Sequence, residues 1–282
     1  MLFLQRALAV GVPGSLVILL ALKAEARPVA VAAEKNSAVD HSAWDAVLKE
    51  CTVPNQRRNG ISFTGFDYKK LERKMKREFK GYLATVAATD IEKLTHDEKL
   101  AFMINAYNAF TVDVVMEHHP KHSIRDLSSF WHGSVFKRYK HTINVGGSKK
   151  KVSLDDVEHD YIRGKITNHK DPRVHSAINC ASVSCPDLRG EAFTGAKLQE
   201  QLNDQVTLWM ANTGKGLKVD AGSNTVHLSK IFDWFSEDFA SQGKLEFAAR
   251  FAPESARNVL LGKPRVRYLG YDWDLNRPQQ KT

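Results

Sequence analysis

A chain of 282 residues with 43% hydrophobic and 26% charged side chains can bury a sizeable core, which excludes the disordered and fibrous classes. Its 41 basic against 32 acidic residues give a formal net charge of +9. Charge alone steers polyanions, but no nucleic-acid-binding motif or run of stacking aromatics accompanies it, so nucleic acid is not an expected partner.

Before the apolar run Ala7–Leu22 the only charge is Arg6, and Lys23 with Ala24-Glu25-Ala26 follows it in the small-x-small form of a cleavage site. The run falls short of the roughly 20 residues a spanning helix needs, and Pro13-Gly14 interrupts it. Residues 1–26 are therefore expected to be a signal peptide and the protein secreted or lumenal. An uncleaved membrane anchor and an organelle transit peptide are the alternatives. Residues 27–38 form an expected linker, 39–275 a single domain and 276–282 a tail. No later segment suits a membrane span: Ala101–Val115 is too short and carries Asn105, Asn108 and Asp113.

Residues 40–51 are predicted to form a short helix with Trp44, Val47 and Leu48 inward, and Ile61–Phe66 a strand. In Lys69–Lys80, apolar Leu71, Met75 and Phe79 fall at helical spacing and leave the basic residues on outward faces, a solvated basic helix. Thr95-His96-Asp97-Glu98 has the form of a capping box. The helix it opens is apolar nearly all round, as buried helices are. Asn105 and Asn108, three residues apart within it, must then bridge to backbone or line a polar pocket. After a loop around Trp131, a hairpin is predicted from His141–Val145 and Lys151–Val152 about Gly146-Gly147-Ser148. Ser153 opens a helix to about Arg163, and Arg173–Asn179 is predicted as a strand. Ala196–Met210 follows as an amphipathic helix, then Leu217–Val219 and Val226–Leu228 about a turn. Ser229 is placed as the cap of a helix carrying Phe232, Trp234, Phe235 and Phe239, a pattern expected to be core. Helices and local hairpins without strand–helix alternation predict an α+β fold, mostly helical, with short hairpins and a small mixed or antiparallel sheet.

Five segments in order resemble the domain of unknown function 547 family: Lys99–Ala109, Ser153–His159, Asp171–His175, Asn179–Ser182 through Cys185-Pro186, and Trp234-Phe235 with Asp238-Phe239. The resemblance implies candidate positions and little mechanism. Some members are joined to glutaredoxin-like modules, which implies thiol biology, and a relation to papain-like thiol folds is a further expectation.

Chemistry ranks those positions. A cysteine is the strongest nucleophile among common side chains once its pKa is lowered. Cys180, ending the predicted strand, is the candidate nucleophile, with His175 or His159 as base and Glu158 as the group orienting it. In a regular strand His175 and Cys180 face opposite sides, which favours His159. Asn105, Asn108, Arg173, Asn179 and Cys185 are candidate binding residues, the asparagines as oxyanion donors. The expected function is a thiol-dependent hydrolase or acyl transferase acting on a small peptide or thiol-containing ligand. The alternative is a non-catalytic binding module with a Cys180–Cys185 disulfide, a ring worth at most roughly 2 kcal/mol. Cys51 is expected to be a buried or spare thiol. Glu158, His159, His175, Cys180 and Cys185 could all ligate a metal, but their spacing matches no usual zinc arrangement. Neither a metal nor an organic cofactor is implied.

Overall fold

In the computed structural model, which describes residues 39–129 and 133–279, the chain folds as an α+β protein organised around one buried helix. The expected signal peptide and linker, the loop centre at Trp131 and the last three residues lie outside the described residues. Helix α1 (Ser42–Cys51) and the hairpin of β1 (Thr52–Arg58) and β2 (Ile61–Phe66) come first. Asn59 and Gly60 both hold positive φ at the hairpin turn, the geometry that matches the strand twist. A helical turn Tyr68–Lys70 and a π-helical turn Leu71–Met75 lead into α2 (Lys76–Ala88). On this basic stretch Lys70, Lys76, Arg77 and Lys80 each pair with a carboxylate at 2.6–2.9 Å, so much of its charge is locally balanced.

Helix α3 (His96–His118) starts where expected, the Glu98 carboxylate accepting from the Thr95 backbone N–H at 3.0 Å. It is buried from Leu100 through Met116, and Phe102 and Phe110 belong to the same principal core as Trp44, Phe79 and Tyr82. No helix among the described residues is long and apolar enough to cross a membrane. The hairpin of β3 (His141–Val145) and β4 (Ser148–Val152) follows as predicted. Helix α4 (Leu198–Ala211) joins two cores, with Leu198 and Leu202 in the first and Val206, Trp209 and Met210 in a second that contains Phe232, Phe239 and Phe247. Around it lie α5 (Lys244–Phe251), α6 (Glu254–Leu261) and a three-stranded sheet, in which β6 (Thr225–Leu228) pairs antiparallel with β5 (Leu217–Asp220) and parallel with β7 (Arg265–Tyr268).

Two segments differ from expectation. The helix opened by Ser153 widens into a π-helix over Asp156–Ile166, a form that clusters at functional sites. Arg173–Asn179 is not a strand: Val174–Ala177 makes one helical turn and the chain then runs extended to Cys180. Pro172 suits the first turn of a helix, and Val174, Ala177 and Ile178, all buried, have helical spacing.

Both α3 asparagines are bridges rather than pocket donors. Asn105 donates to the Phe193 carbonyl at 2.8 Å and accepts from its N–H at 3.0 Å. Asn108 donates to the Ala177 carbonyl at 2.9 Å and accepts from the Asn179 N–H at 2.8 Å. Asn108→Ala would leave both of those buried backbone groups unmet, at about 1–3 kcal/mol each. We expect urea unfolding to show a loss of about 2–4 kcal/mol with an unchanged denaturant slope. A loss below about 1 kcal/mol would mean that water replaces the amide.

Candidate active site

The segment after Ala177 is held from several sides. Ala181 adopts φ 62°, unusual for a residue with a Cβ. The Asn179 side chain steadies that conformation, accepting from the Ala181 N–H at 2.8 Å while donating to the Pro186 carbonyl at 2.7 Å. The Ala181 carbonyl in turn accepts from the Asn276 N–H at 3.0 Å. Buried Lys215 donates to the carbonyls of Val183 and Cys185 and to the Asp187 carboxylate. The described part of the expected tail is thus anchored: Asn276 also accepts from the Tyr68 hydroxyl at 2.8 Å, and Arg277 donates to the Pro120 and Lys121 carbonyls.

At the end of this pinned loop Cys180 opens on a cavity of about 180 Å³. All three cysteines are free, so the disulfide considered above is not formed. The Cys180 backbone N–H donates to the Cys185 sulfur at 3.1 Å, and the Cys185 thiol faces the Ile178 carbonyl. Hydrogen bonding by the Cys185 thiol holds the Cys180 pKa below its ordinary value against the opposing effect of burial. The hydroxyls of Ser182, at 3.1 Å from the sulfur, and Tyr271, at 3.4 Å, act in the same direction. Burial drives Cys185 the other way, well above the ordinary thiol value. Cys51 is buried and lies outside this cavity, its pKa pushed up to about 11 by desolvation.

Both candidate histidines line the cavity, on different terms. His175 is buried and its Nε2 donates to the Asp238 carboxylate at 2.7 Å. Hydrogen bonds from His175, Arg163 and His169 outweigh burial and hold the Asp238 pKa far below the usual carboxylate range, so it is an acceptor only. The proton is thereby fixed on Nε2, and Nδ1 is the nitrogen His175 offers as a base. Burial depresses the His175 pKa and keeps the ring neutral near pH 7. His159 is less available. Its Nδ1 faces an Nη1 donor of Arg163, and its Nε2 lies 3.6 Å from Asp155. Its lone pair is therefore occupied, and the preference for His159 over His175 reverses. Neither imidazole hydrogen-bonds the sulfur directly among the described contacts.

Glu158 does not orient a histidine. It accepts from the Tyr107 hydroxyl at 3.1 Å, and burial raises its pKa to about 7. Arg173 lies outside the cavity lining, tied to Asp171, Asn203 and Gln199. The residues that sequence reasoning missed are Asp238, Ser182, Asp155, Tyr271 and Trp273. Asp238 stood inside a recognised segment without a role, and nothing in the sequence links Tyr271 or Trp273 to Cys180. Trp234 and Phe235, expected as core, instead line the cavity.

Of the ligand-type residues, His169, Glu237 and Asp238 come together, with atoms within 4.8 Å of one another. The Arg163 guanidinium already occupies that place, donating to Asp238 at 2.6 and 3.0 Å and to Glu237 at 2.5 Å. A metal ion would have to displace it.

No curated protein and no solved structure matches the chain. Residues 91–210 match the family described as "Protein of unknown function, DUF547". That segment holds Cys180, Cys185, His159, His175 and Glu158, whereas Asp238 and Tyr271 fall beyond it. Over these residues the chain is similar to the DUF547 family.

Proposed function

We propose that the protein is a thiol-dependent acyl transferase or hydrolase with Cys180 as nucleophile, His175 as the proton-transfer group and Asp238 as the residue that positions His175. One observation carries the reading: a thiol of lowered pKa shares a cavity with an imidazole whose far nitrogen is fixed by a buried carboxylate. This is the division of roles used by thiol and serine hydrolases, in which geometry and not sequence order defines the set.

The Cys180 sulfur attacks the substrate carbonyl carbon, forming a C–S bond. The thiol proton passes to Nδ1 of His175; where the thiolate has already formed, Nδ1 takes that proton from solvent before the leaving group departs. The bond from carbon to the leaving amine, alcohol or thiol breaks, and His175 returns the proton to that group. The acyl-enzyme then yields to water or to a second thiol or amine, whose proton goes to His175 as the C–S bond breaks and the Cys180 thiolate is released. The hydroxyls of Tyr271 and Ser182, 3.4 and 3.1 Å from the sulfur, take the oxyanion role expected of the asparagines. The leader-like composition of residues 1–26 supports a secreted or lumenal setting, and a peptide or thiol compound as acyl acceptor suits the small cavity.

p-Nitrophenyl acetate tests the reading without knowledge of the substrate. We expect a burst of one nitrophenolate per chain, with acetyl mapped to Cys180, no burst in Cys180→Ala, and acylation slowed about 100- to 10,000-fold in His175→Ala. Acetylation that persists in Cys180→Ala would remove the assignment.

A further inference from the structure

The cavity beside Cys180 differs in charge from the chain around it. The protein carries a formal charge of +9, yet among the described residues no lysine or arginine lines this cavity, and Asp155 and Glu158 both do. Asp155 has Lys137 at 3.8 Å, on a largely exposed side chain. Glu158 has no ion-pair partner among the described residues, only the Tyr107 hydroxyl. The Arg163 guanidinium is turned to Asp238, Glu237 and His159.

Aromatic rings form much of the remaining wall. Trp234, Tyr271 and Trp273 contact one another with centroids 4.6–5.8 Å apart, and Phe136 and Phe235 extend the surface. Trp234 is 44% exposed, unusual for so large a side chain. Two of these rings already take a guanidinium: Arg125 lies 4.8 Å from the Trp273 centroid and Arg163 lies 4.7 Å from that of Phe235. Ring faces attract cations electrostatically, most strongly where water is excluded, and aromatic cages bind methylated ammonium groups for that reason. About 180 Å³ would hold about six waters at ~30 Å³ each, so the group that enters is small.

We propose that this cavity selects a small ammonium group, primary or methylated, held between the Trp234–Tyr271–Trp273 wall and the Glu158 carboxylate, on the substrate that Cys180 attacks. The substrate class is then an ester, thioester or amide with a cationic amine close to its carbonyl. This rests on the acyl-transfer reading for placing the carbonyl at Cys180, whereas cation binding itself requires no reaction. Burial, Asp155 and a Cys180 thiolate raise the Glu158 pKa, while Tyr107 and Arg163 lower it. With the empty-site value at about 7, cation affinity should rise with pH through that region as the carboxyl ionises.

The test is calorimetric titration of the full chain with choline and with 3,3-dimethylbutan-1-ol, its uncharged carbon analogue. At pH 8 we expect choline to bind at least about tenfold more tightly, to lose most of that advantage at pH 6, and to protect Cys180 from iodoacetamide. Glu158→Gln should abolish the pH dependence and bring choline to the level of the alcohol. Trp234→Leu, at an exposed position, should weaken choline while near-ultraviolet circular dichroism stays native. Equal affinity for the two compounds, or choline binding indifferent to both substitutions in folded protein, would overturn the proposal. Selective choline binding by a protein that p-nitrophenyl acetate fails to acylate would uphold the cation site and reject the acyl-transfer reading. Acylation without choline selectivity would do the reverse.

Discussion

In native protein at pH 7, iodoacetamide should alkylate Cys180 at least about 100-fold faster than Cys51, with Cys185 essentially silent. Only thiolate reacts, and an unperturbed thiol at about 8.5 is a few per cent ionised at neutral pH. Cys51, pushed up to about 11, is ionised to about one part in 10,000. Even at the ordinary value Cys180 would therefore carry about 300 times more thiolate, and its pKa lies below that value. A more basic thiolate is intrinsically more nucleophilic, which returns about tenfold to Cys51, but Cys51 is fully buried whereas Cys180 opens on the cavity. As the thiolate fraction rises with pH and then saturates, the labelling rate of Cys180 should level off at least a unit below the ordinary thiol midpoint. Ser182→Ala and Tyr271→Phe, each removing a donor to the sulfur, should move the inflection upward. Peptide mapping after timed quenching reads all three cysteines together. Equal slow labelling, or a Cys180 inflection at or above about 8.5, would leave the sulfur without activation.

The elements legible in the sequence are those specified locally. The capping box sets the start of α3, paired positive-φ residues close the hairpins, and apolar spacing gives α1 and α4. Arg173–Asn179 reads as a strand because so short a run alternates as well as it repeats helically, and only Pro172 before it argues for a helical turn. The widening at Asp156–Ile166 left no local mark. Cys180, His175, His159 and Glu158 crowd into 23 residues of sequence, and all four line one cavity. The roles were less legible than the positions. The carboxylate that orients His175 is 63 residues away, and the Tyr271 hydroxyl beside the sulfur is 91 residues away. Burial decides the rest. Glu158 is chemically able to orient an imidazole, but desolvation makes it easily protonated while Asp238, among cationic and imidazole donors, keeps its charge.

That contrast makes Asp238→Asn the most damaging single-atom exchange at the site. Asp238 is 2% exposed and receives Arg163 through Nε at 2.6 Å and Nη2 at 3.0 Å, His175 at 2.7 Å and His169 at 2.7 Å. An asparagine there keeps one acceptor oxygen and turns an NH₂ toward groups that are themselves donors. Arg163, 4% exposed, would be left with neutral His159 and with Glu237, whose side chain is mostly in solvent. Breaking one side of a buried ion pair costs about 3–5 kcal/mol, and we expect urea unfolding at pH 7 to show a loss of that size. His175 would lose the partner that keeps its proton on Nε2, so acylation should fall by about 10⁴-fold, as when other orienting aspartates become asparagine. The pH dependence separates these consequences from general damage. Because the native pKa of Asp238 lies far below the unfolded value of about 3.9, the unfolded chain binds the extra proton between the two, and the stabilisation is present above pH 4 and lost as pH falls. The depressed pKa of His175 adds a slope of the same sign below about 6.5. Wild type should therefore lose stability on acidification and the gap to Asp238→Asn should narrow below pH 4. Parallel stability curves through that range, or a loss at pH 7 below about 1 kcal/mol, would mean that Asp238 does not hold Arg163 and His175 together as an ionised hub.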